Sequence, residues 1–303
     1  MKLESLRYFH VTQACGSIRK AAERLHVAPS AISRQIAILE RELGLRLLER
    51  SSSGVCTTAA GALLGRSIQS IFRDIERARS AIDDLKGLRI GEVTIYAMEG
   101  LVSDFLPTLF VAFHKKFPGI GFNLVLAPTD RIIEAVLRDE ADIGITFNAK
   151  PKQELSVVAR YAEPVSCLVA PHHPLAREKA VSLRQLRNHA VALPKDAFGL
   201  RQLIDDAARR ASVALKVMMT TNSLELTKKL AESGVAVAFM PAFTVSAEVA
   251  RGSLRCIPVS DKAFRVAYSE VCVHRNRAIS AAAQEFLDAL VRALRALPSS
   301  SAA

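Results

Sequence analysis

The stretch Ser17–Leu43, SIRKAAERLHVAPSAISRQIAILEREL, constrains the fold most, because it reads as two short helices joined by a tight turn. Ser17 suits an N-cap, where its hydroxyl can accept a free first-turn N–H. Ile18, Ala21, Ala22 and Leu25 recur at i, i+3, i+4 and i+7, one face of a helix. His26-Val27-Ala28 forms the turn. Pro29 fits the first position of the next helix, where φ is preset and no N–H is needed. Ile32, Ile36, Leu39 and Leu43 then predict a second buried stripe, with Ser30, Arg34, Ala37 and Arg41 about half a turn away and Ser33 beside them. Short polar groups, a small residue and two guanidinium forks are what a recognition helix needs in the DNA major groove. An ordinary helical hairpin with a solvated face shows the same pattern, and this stretch alone does not separate the two.

Net charge is +11. A basic balance favours an anionic partner, nucleic acid or membrane surface. The excess is spread out: residues 1–88 hold 14 Lys/Arg and 9 Asp/Glu, a net of +5, which leaves +6 for the remainder. Charge therefore permits DNA binding without demonstrating it. The 303 residues suit two or three domains. The five cysteines (Cys15, Cys56, Cys167, Cys256, Cys272) form no CxxC pair and read as reduced thiols rather than a disulfide framework. The chain enters an amphipathic helix at once (Leu3, Leu6, Phe9), so no signal peptide is expected. The longest uncharged runs, Ser51–Gly65 and Ser233–Ala247, fall short of the roughly 20 apolar residues that span a bilayer. A soluble, cytoplasmic protein with no membrane partner is the expectation.

After the helix pair, Leu45–Thr58 (LRLLERSSSGVCTT) places two short extended pieces around Ser51-Ser52-Ser53-Gly54, a turn by composition. A hairpin directly after a recognition helix is a wing. Arg50 at its shoulder is then either a phosphate or minor-groove contact or a plain surface cation. Thr58 can cap a following helix of roughly 30 residues. In it Leu64, Ile68, Ile71, Ile75, Ala78, Ile82 and Leu85 alternate by four and three, a heptad seam. Such a seam could cover its own domain; beside a DNA reader, dimerisation explains it better. Two readers held together address two half-sites, so the expected target is an interrupted inverted repeat in double-stranded DNA.

From Gly91 the pattern changes. Val93–Ala97, Phe122–Leu126, Asp142–Thr146, Val165–Ala170, Ala190–Leu193, Val235–Met240 and Val271–Val273 read as strands. Ser103–Phe117, Asp130–Asp139, Leu200–Ala211 and Ser223–Ser233 read as helices among them. Alternation of this kind implies a mostly parallel sheet packed by helices. Pro-containing loops in the middle split the region into two α/β lobes, the chain crossing near Ala162 and returning near Tyr268, with Lys86–Ile90 as the boundary to the linker helix. The expected domains are 1–58, 59–88 and 89–303, with lobe I about 89–162 and 269–303 and lobe II about 163–268.

Over essentially its whole length the chain resembles the LysR-type transcriptional regulators. The resemblance rests on AAERLHVAPSAISRQIAILERELG (Ala21–Gly44), LLER (Leu47–Arg50), TAAG (Thr58–Gly61), FPGI (Phe117–Ile120), ADIGI (Ala141–Ile145), HPLA (His173–Ala176) and ESGVAVAFMP (Glu232–Pro241), in that order. It implies an α/β chain with a helical N-terminal winged helix–turn–helix, a long dimerising linker helix and a two-lobed effector domain like a periplasmic binding protein. It also implies homodimers, commonly assembled as homotetramers; no cofactor is expected. Carried over by position, the DNA-reading residues are Pro29, Ser30, Ser33 and Arg34 on the recognition helix and Arg50 in the wing. One departure is visible: Ala28 stands where many members have glutamine, which removes a possible base contact.

In a two-lobed α/β fold, ligands lie beyond the C-terminal ends of strands, where helix N-termini converge. For a small-molecule effector of unknown identity, those ends offer Glu99, Gly100, Leu101, Ser103, Thr129, Thr146, Phe147 and Asn148 from lobe I, and Lys195, Phe198, Asn222 and Ser223 from lobe II. Helix N-termini favour an anion, and Lys195 would reinforce that; Glu99 argues against it, or pairs with a cationic part of the ligand, and the sequence leaves the ligand's charge open. Ser103, Ser182 and Asn222 (with Glu225 three residues on) serve equally well as helix caps.

No GxGxxG, Walker-type, HExxH or GxSxG signature occurs. His172-His173 is a metal pair only superficially, since adjacent turn residues point apart and no second cluster has ligand spacing. An enzyme built on the α/β region lacks a visible nucleophile–base pair. A ligand-free architectural DNA binder leaves the lobes unexplained.

Overall fold

The computed structural model describes residues 1–51, 54–85, 90–101 and 105–296, which fall into two compact units, Met1–Arg79 and Ser80–Ala303. The first unit opens with three helices, α1 (Leu3–Cys15), α2 (Ile18–Leu25) and α3 (Pro29–Leu43). Ser17 Oγ accepts the Lys20 N–H at 3.4 Å, capping α2. His26 ends α2 in the left-handed conformation (φ 55), and the turn delivers Pro29 to the first position of α3. Phe9, Ala21, Ala22, Ile32, Ile36 and Leu39 close the core of this unit. Leu3 and Leu43, expected in the buried stripes, are 51% and 40% exposed, because each sits at a helix end beyond the reach of the neighbouring helices.

A hairpin follows, β1 (Leu48–Ser51) and β2 (Gly54–Thr57), paired antiparallel from Leu48↔Thr57 to Ser51↔Gly54. Its expected tip at Ser52-Ser53 lies outside the described residues, as do residues 86–89 of the expected linker boundary. The long helix α4 spans Ala59–Leu85, 27 residues. Its seam divides: Ile68 is fully buried in the first unit's core with Leu64 packed beside it, whereas Ile71 and Ile82 are 38% and 53% exposed. A groove of about 670 Å³ lined by Leu3, Val11, Leu25, Phe72 and Ile75 runs beside that exposed face.

The second unit continues with β3 (Gly91–Ala97), α5 (Phe105–Lys116), β4 (Ile120–Leu126), α6 (Thr129–Leu137), β5 (Ile143–Phe147) and β6 (Leu155–Ala162). Next come β7 (Val165–Val169), α7 (Leu183–Leu186), β8 (Ala190–Pro194), α8 (Gly199–Arg210) and β9 (Lys216–Thr221). The chain ends with α9 (Leu224–Glu232), β10 (Ala238–Pro241), α10 (Ser246–Ala250), β11 (Arg255–Pro258), α11 (Lys262–Arg265), β12 (Tyr268–His274) and α12 (Ala281–Ala296). One sheet has the order β4-β3-β5-β12-β6. The rest of the strands form β10-β7-β11 and the pair β8-β9, joined by the parallel bridge Val191↔Val237. These sheets define lobes I and II. β6 ends at Ala162 in the first sheet and β7 starts at Val165 in another; β12 returns at Tyr268.

The expectation of a mostly parallel sheet does not hold. β3 pairs parallel with β4 and β5, and β8 with β9, but β12 is antiparallel to both β5 and β6, and β7 is antiparallel to β10 and β11. The cause is the double crossing: a strand that re-enters a sheet from the other lobe arrives from the opposite end. The final helix α12 packs its Phe286, Leu287, Leu290 and Leu294 into the lobe I core. Phe286 lies 4.8–5.4 Å, centroid to centroid, from Phe110, Phe113 and Phe122.

Candidate functional site

On α3, Pro29, Ser30, Arg34, Ala37 and Arg41 are exposed and Ser33 is half-buried, one continuous face opposite the Ile32–Ile36–Leu39 stripe. Ala28 is extended at the cap and offers no side-chain acceptor, which leaves the positive end of the helix open to a phosphate. The hairpin is fixed to this helix by hydrogen bonds: Glu40 Oε1 accepts the N–H groups of Leu47 (2.8 Å) and Leu48 (3.2 Å). On its far side Val55 donates its N–H to Gly16 O at 2.9 Å. Thr58 Oγ1 donates to Arg46 O (2.8 Å) and accepts the Gly61 N–H (3.0 Å), so it caps α4 and ties it to the segment that leads into β1. A Cβ at Gly61 would stand 2.1 Å from Leu47 O, so only glycine permits that approach. The backbone of Arg50 pairs with Val55; the side chains of Arg50 and Leu101 lie outside the described atoms, and Ser103 outside the described residues.

In the second unit, a cavity of about 50 Å³ lies between the lobes. Of the residues expected there, Glu99, Gly100, Thr129, Phe147 and Phe198 line it. Hydrogen bonds cross from lobe to lobe around it. Gly199 donates its N–H to Thr129 Oγ1 (3.3 Å), which itself donates to Phe147 O (3.2 Å). Gln202 Nε2 donates to Asp130 Oδ2 at 3.2 Å, and Leu224 donates its N–H to Glu99 Oε2 at 3.4 Å. Ligand sites commonly enclose about 300–1,000 Å³, and this cavity is smaller than that.

Five expected residues do not line the cavity. Thr146 is 1% exposed and its Oγ1 reaches Glu270 O at 3.5 Å, inside lobe I. Successive strand residues point to opposite faces, so Thr146 and Phe147 cannot both face the cleft. Asn148 adopts φ 48 and donates its N–H to Tyr268 O at 2.8 Å, which turns it toward β12. Lys195 and Asn222 are exposed. Ser223, not Asn222, caps α9, its Oγ accepting the Leu226 N–H at 3.1 Å. Met98, Pro194 and Gly199, next to expected residues at the same strand ends, line it too, whereas Leu200, Leu224, Met240, Pro241 and Thr244 lie outside the stretches the sequence singles out for the cleft. The strand-end rule, applied to the end of β10, finds Met240 and Pro241; Leu224 depends on where α9 begins.

At the crossing, Glu163 is 1% exposed, with Oε2 accepting the Ser269 hydroxyl at 2.7 Å and Oε1 buried without a partner. Burial lifts its pKa from 4.5 to about 7, against the smaller opposing effect of the Ser269 hydrogen bond. The folded chain therefore holds a proton that the unfolded chain has released. This stabilisation is complete below pH 4.5 and is lost as pH rises through about 7. Melting temperature should fall over that interval, and Glu163→Gln, which cannot ionise, should flatten the profile. Equal slopes in the two proteins would refute this.

Cys167 and Cys256 do not assemble a redox pair. Cys167 faces Ile257 across β7–β11 and Cys256 faces Leu168, so the two thiols lie on opposite sides of the sheet. Burial pushes the Cys167 thiol up to about 12 and Cys256 up to about 11, away from reactive thiolates. Among the described residues no group of three or more His, Cys, Asp or Glu could hold a metal ion. Among them, too, no helix is long and apolar enough to cross a membrane.

Residues 3–62 match the family model described as bacterial regulatory helix-turn-helix protein, lysR family, and residues 86–295 match the LysR substrate binding domain. The transcriptional dual regulator GltC of Bacillus subtilis is 30% identical over 303 residues, 96% of this chain and 97% of that protein. A full-length OxyR variant from Pseudomonas aeruginosa superposes with a TM-score of 0.74 at 21% identity, covering 98% of this chain and 95% of its own. Full-length CbnR, solved in complex with its target DNA, superposes with a TM-score of 0.67 at 22% identity, covering 97% of this chain and 99% of its own. Both structural likenesses concern the fold.

Proposed function

The chain belongs to the LysR family of DNA-binding transcriptional regulators with effector-binding domains, and from that premise we propose how its parts divide the work. It is a regulator rather than an enzyme. Residues 1–58 read DNA, 59–88 link and dimerise, and 89–303 bind an effector between lobes I and II. Pro29, Ser30, Ser33 and Arg34 enter the major groove, and Arg50 reaches the adjacent backbone or minor groove. The observation that carries this is the exposed face of α3, held in fixed register with the hairpin by the two hydrogen bonds to Glu40. The exposed Ile71 and Ile82 and the groove beside Phe72 support dimerisation through α4. Dimers present two readers to an interrupted inverted repeat, and pairs of dimers give the tetramer. The cytoplasm, where the DNA is, is the proposed location.

An effector acts by binding one arrangement of the lobes better than another, and it can shift the assembly no further than that difference. The test is a footprint of the full-length protein upstream of its own gene across a salt series. Protection of two half-sites on one face of the duplex is expected. Binding that never exceeds the non-specific level, there or in a genome-wide selection, would sink the reading. On the operator so defined, Arg34→Ala should lose about 1–3 kcal/mol of discrimination at one base pair in each half-site. Equal weakening on all sequences would make Arg34 a phosphate contact instead.

A further inference from the structure

Among the described residues, the cleft lining carries one charged side chain, Glu99, and no Lys, Arg or His. Lys195, the cation expected to meet an anionic effector, is exposed and does not line the cavity. The N-terminus of α9, which would otherwise attract a carboxylate or phosphate, already meets a carboxylate: Leu224 donates its N–H to Glu99 Oε2. An anion entering the cleft would therefore face Glu99 without a basic partner. The remaining surface is largely apolar, with Phe147, Phe198, Leu200, Leu224 and Met240. Aromatic rings and a thioether tolerate or attract a cation, whereas they give an anion nothing in exchange for its water.

We propose that the effector is a small organic cation, with an ammonium or amidinium head paired to Glu99 and an apolar body against Phe147, Phe198 and Leu224. This rests on the assignment of the cleft as the effector site. The present cavity of about 50 Å³ holds little more than the head, so the body enters as the lobes part.

The test uses full-length protein near neutral pH and isosteric probes of opposite charge, benzylamine against benzoate and butylamine against butyrate. At an amine concentration about 100-fold above its dissociation constant, Tm should rise by roughly 5 °C or more, with no rise for the carboxylates. Glu99→Gln keeps an acceptor for the Leu224 N–H, so its ligand-free Tm should match the parent while its amine affinity falls by about 10-fold or more. Glu99→Asp should retain part of the response. A rise with benzoate or butyrate, no rise with either amine, or an amine response unchanged in Glu99→Gln overturns the proposal. The readout contains no DNA, so a failure of operator recognition would show in the footprint and leave this result standing.

Discussion

Phe286→Ala should cost about 3–5 kcal/mol, the range for truncating a buried aromatic residue. Phe286 is fully buried and meets three rings: Phe110 stacked at 5.4 Å, Phe113 edge-on at 5.2 Å and Phe122 edge-on at 4.8 Å. These bring together α5, β4 and α12, so the cavity opens where a helix is held to the lobe I sheet. The neighbours are themselves ring systems fixed by one another, which limits how far they can collapse into the void. For a unit of this size the loss corresponds to a fall in Tm of roughly 10 °C or more. Thermal melting of the full chain reads it, and Phe286→Leu should recover most of the difference. A fall below about 2 °C would mean that α12 is not needed to hold lobe I together.

The second large effect is expected at Gly199. A Cβ there would stand 1.9 Å from Phe147 O and 3.0 Å from Thr129 Oγ1. The first is backbone and cannot swing aside, so Gly199→Ala forces α8 away from β5. Overpacking of this kind costs about 1–3 kcal/mol where the structure can shift. Here the natural shift is separation of the lobes, because Gly199 belongs to lobe II and Phe147 to lobe I. Hydrogen exchange should show reduced protection of the Gly199 and Leu224 amides, which donate across the cleft. Core amides of β3 and β5 should keep theirs. Unchanged exchange at Gly199 and Leu224 would refute the closing role.

The contrast between these sites shows which parts of the molecule are legible before folding. The helix pair is legible because Ser17, Pro29 and the apolar spacing are local signals, each read within one turn of helix. Glu40 is not: as a sequence letter it is a surface acid, and only the meeting of α3 with the hairpin makes it the acceptor for two backbone N–H groups. In the cleft, Glu99, Thr129 and Phe198 follow from strand ends alone. Thr146 and Asn148 fail because the rule names an end without naming the face, and because the φ 48 backbone at Asn148 leaves the strand direction there. Several elements go unread, β6, β9 and α12 the longest of them. β9 (KVMMTT) is largely exposed, and β6 (LSVVARYA) lies at a sheet edge, so neither shows a core-strand pattern. The helical spacing of Phe286, Leu290 and Leu294 in α12 is present in the letters; what it packs against is not.

The junction of Thr58, Gly61 and Leu47 has a mechanical consequence. Because the first turn of α4 is bonded to Arg46 O and seated on Leu47 O, the residues that lead into β1, helix and hairpin are joined as a lever arm is to its head. At 1.5 Å per residue the 27 residues of α4 make an arm of about 40 Å. Tilting that arm by about 5° carries its end through about 3.5 Å, one base-pair step of B-DNA. A rearrangement too small to disturb any hydrogen bond within the arm is thus large enough to move a reader from one base pair to the next.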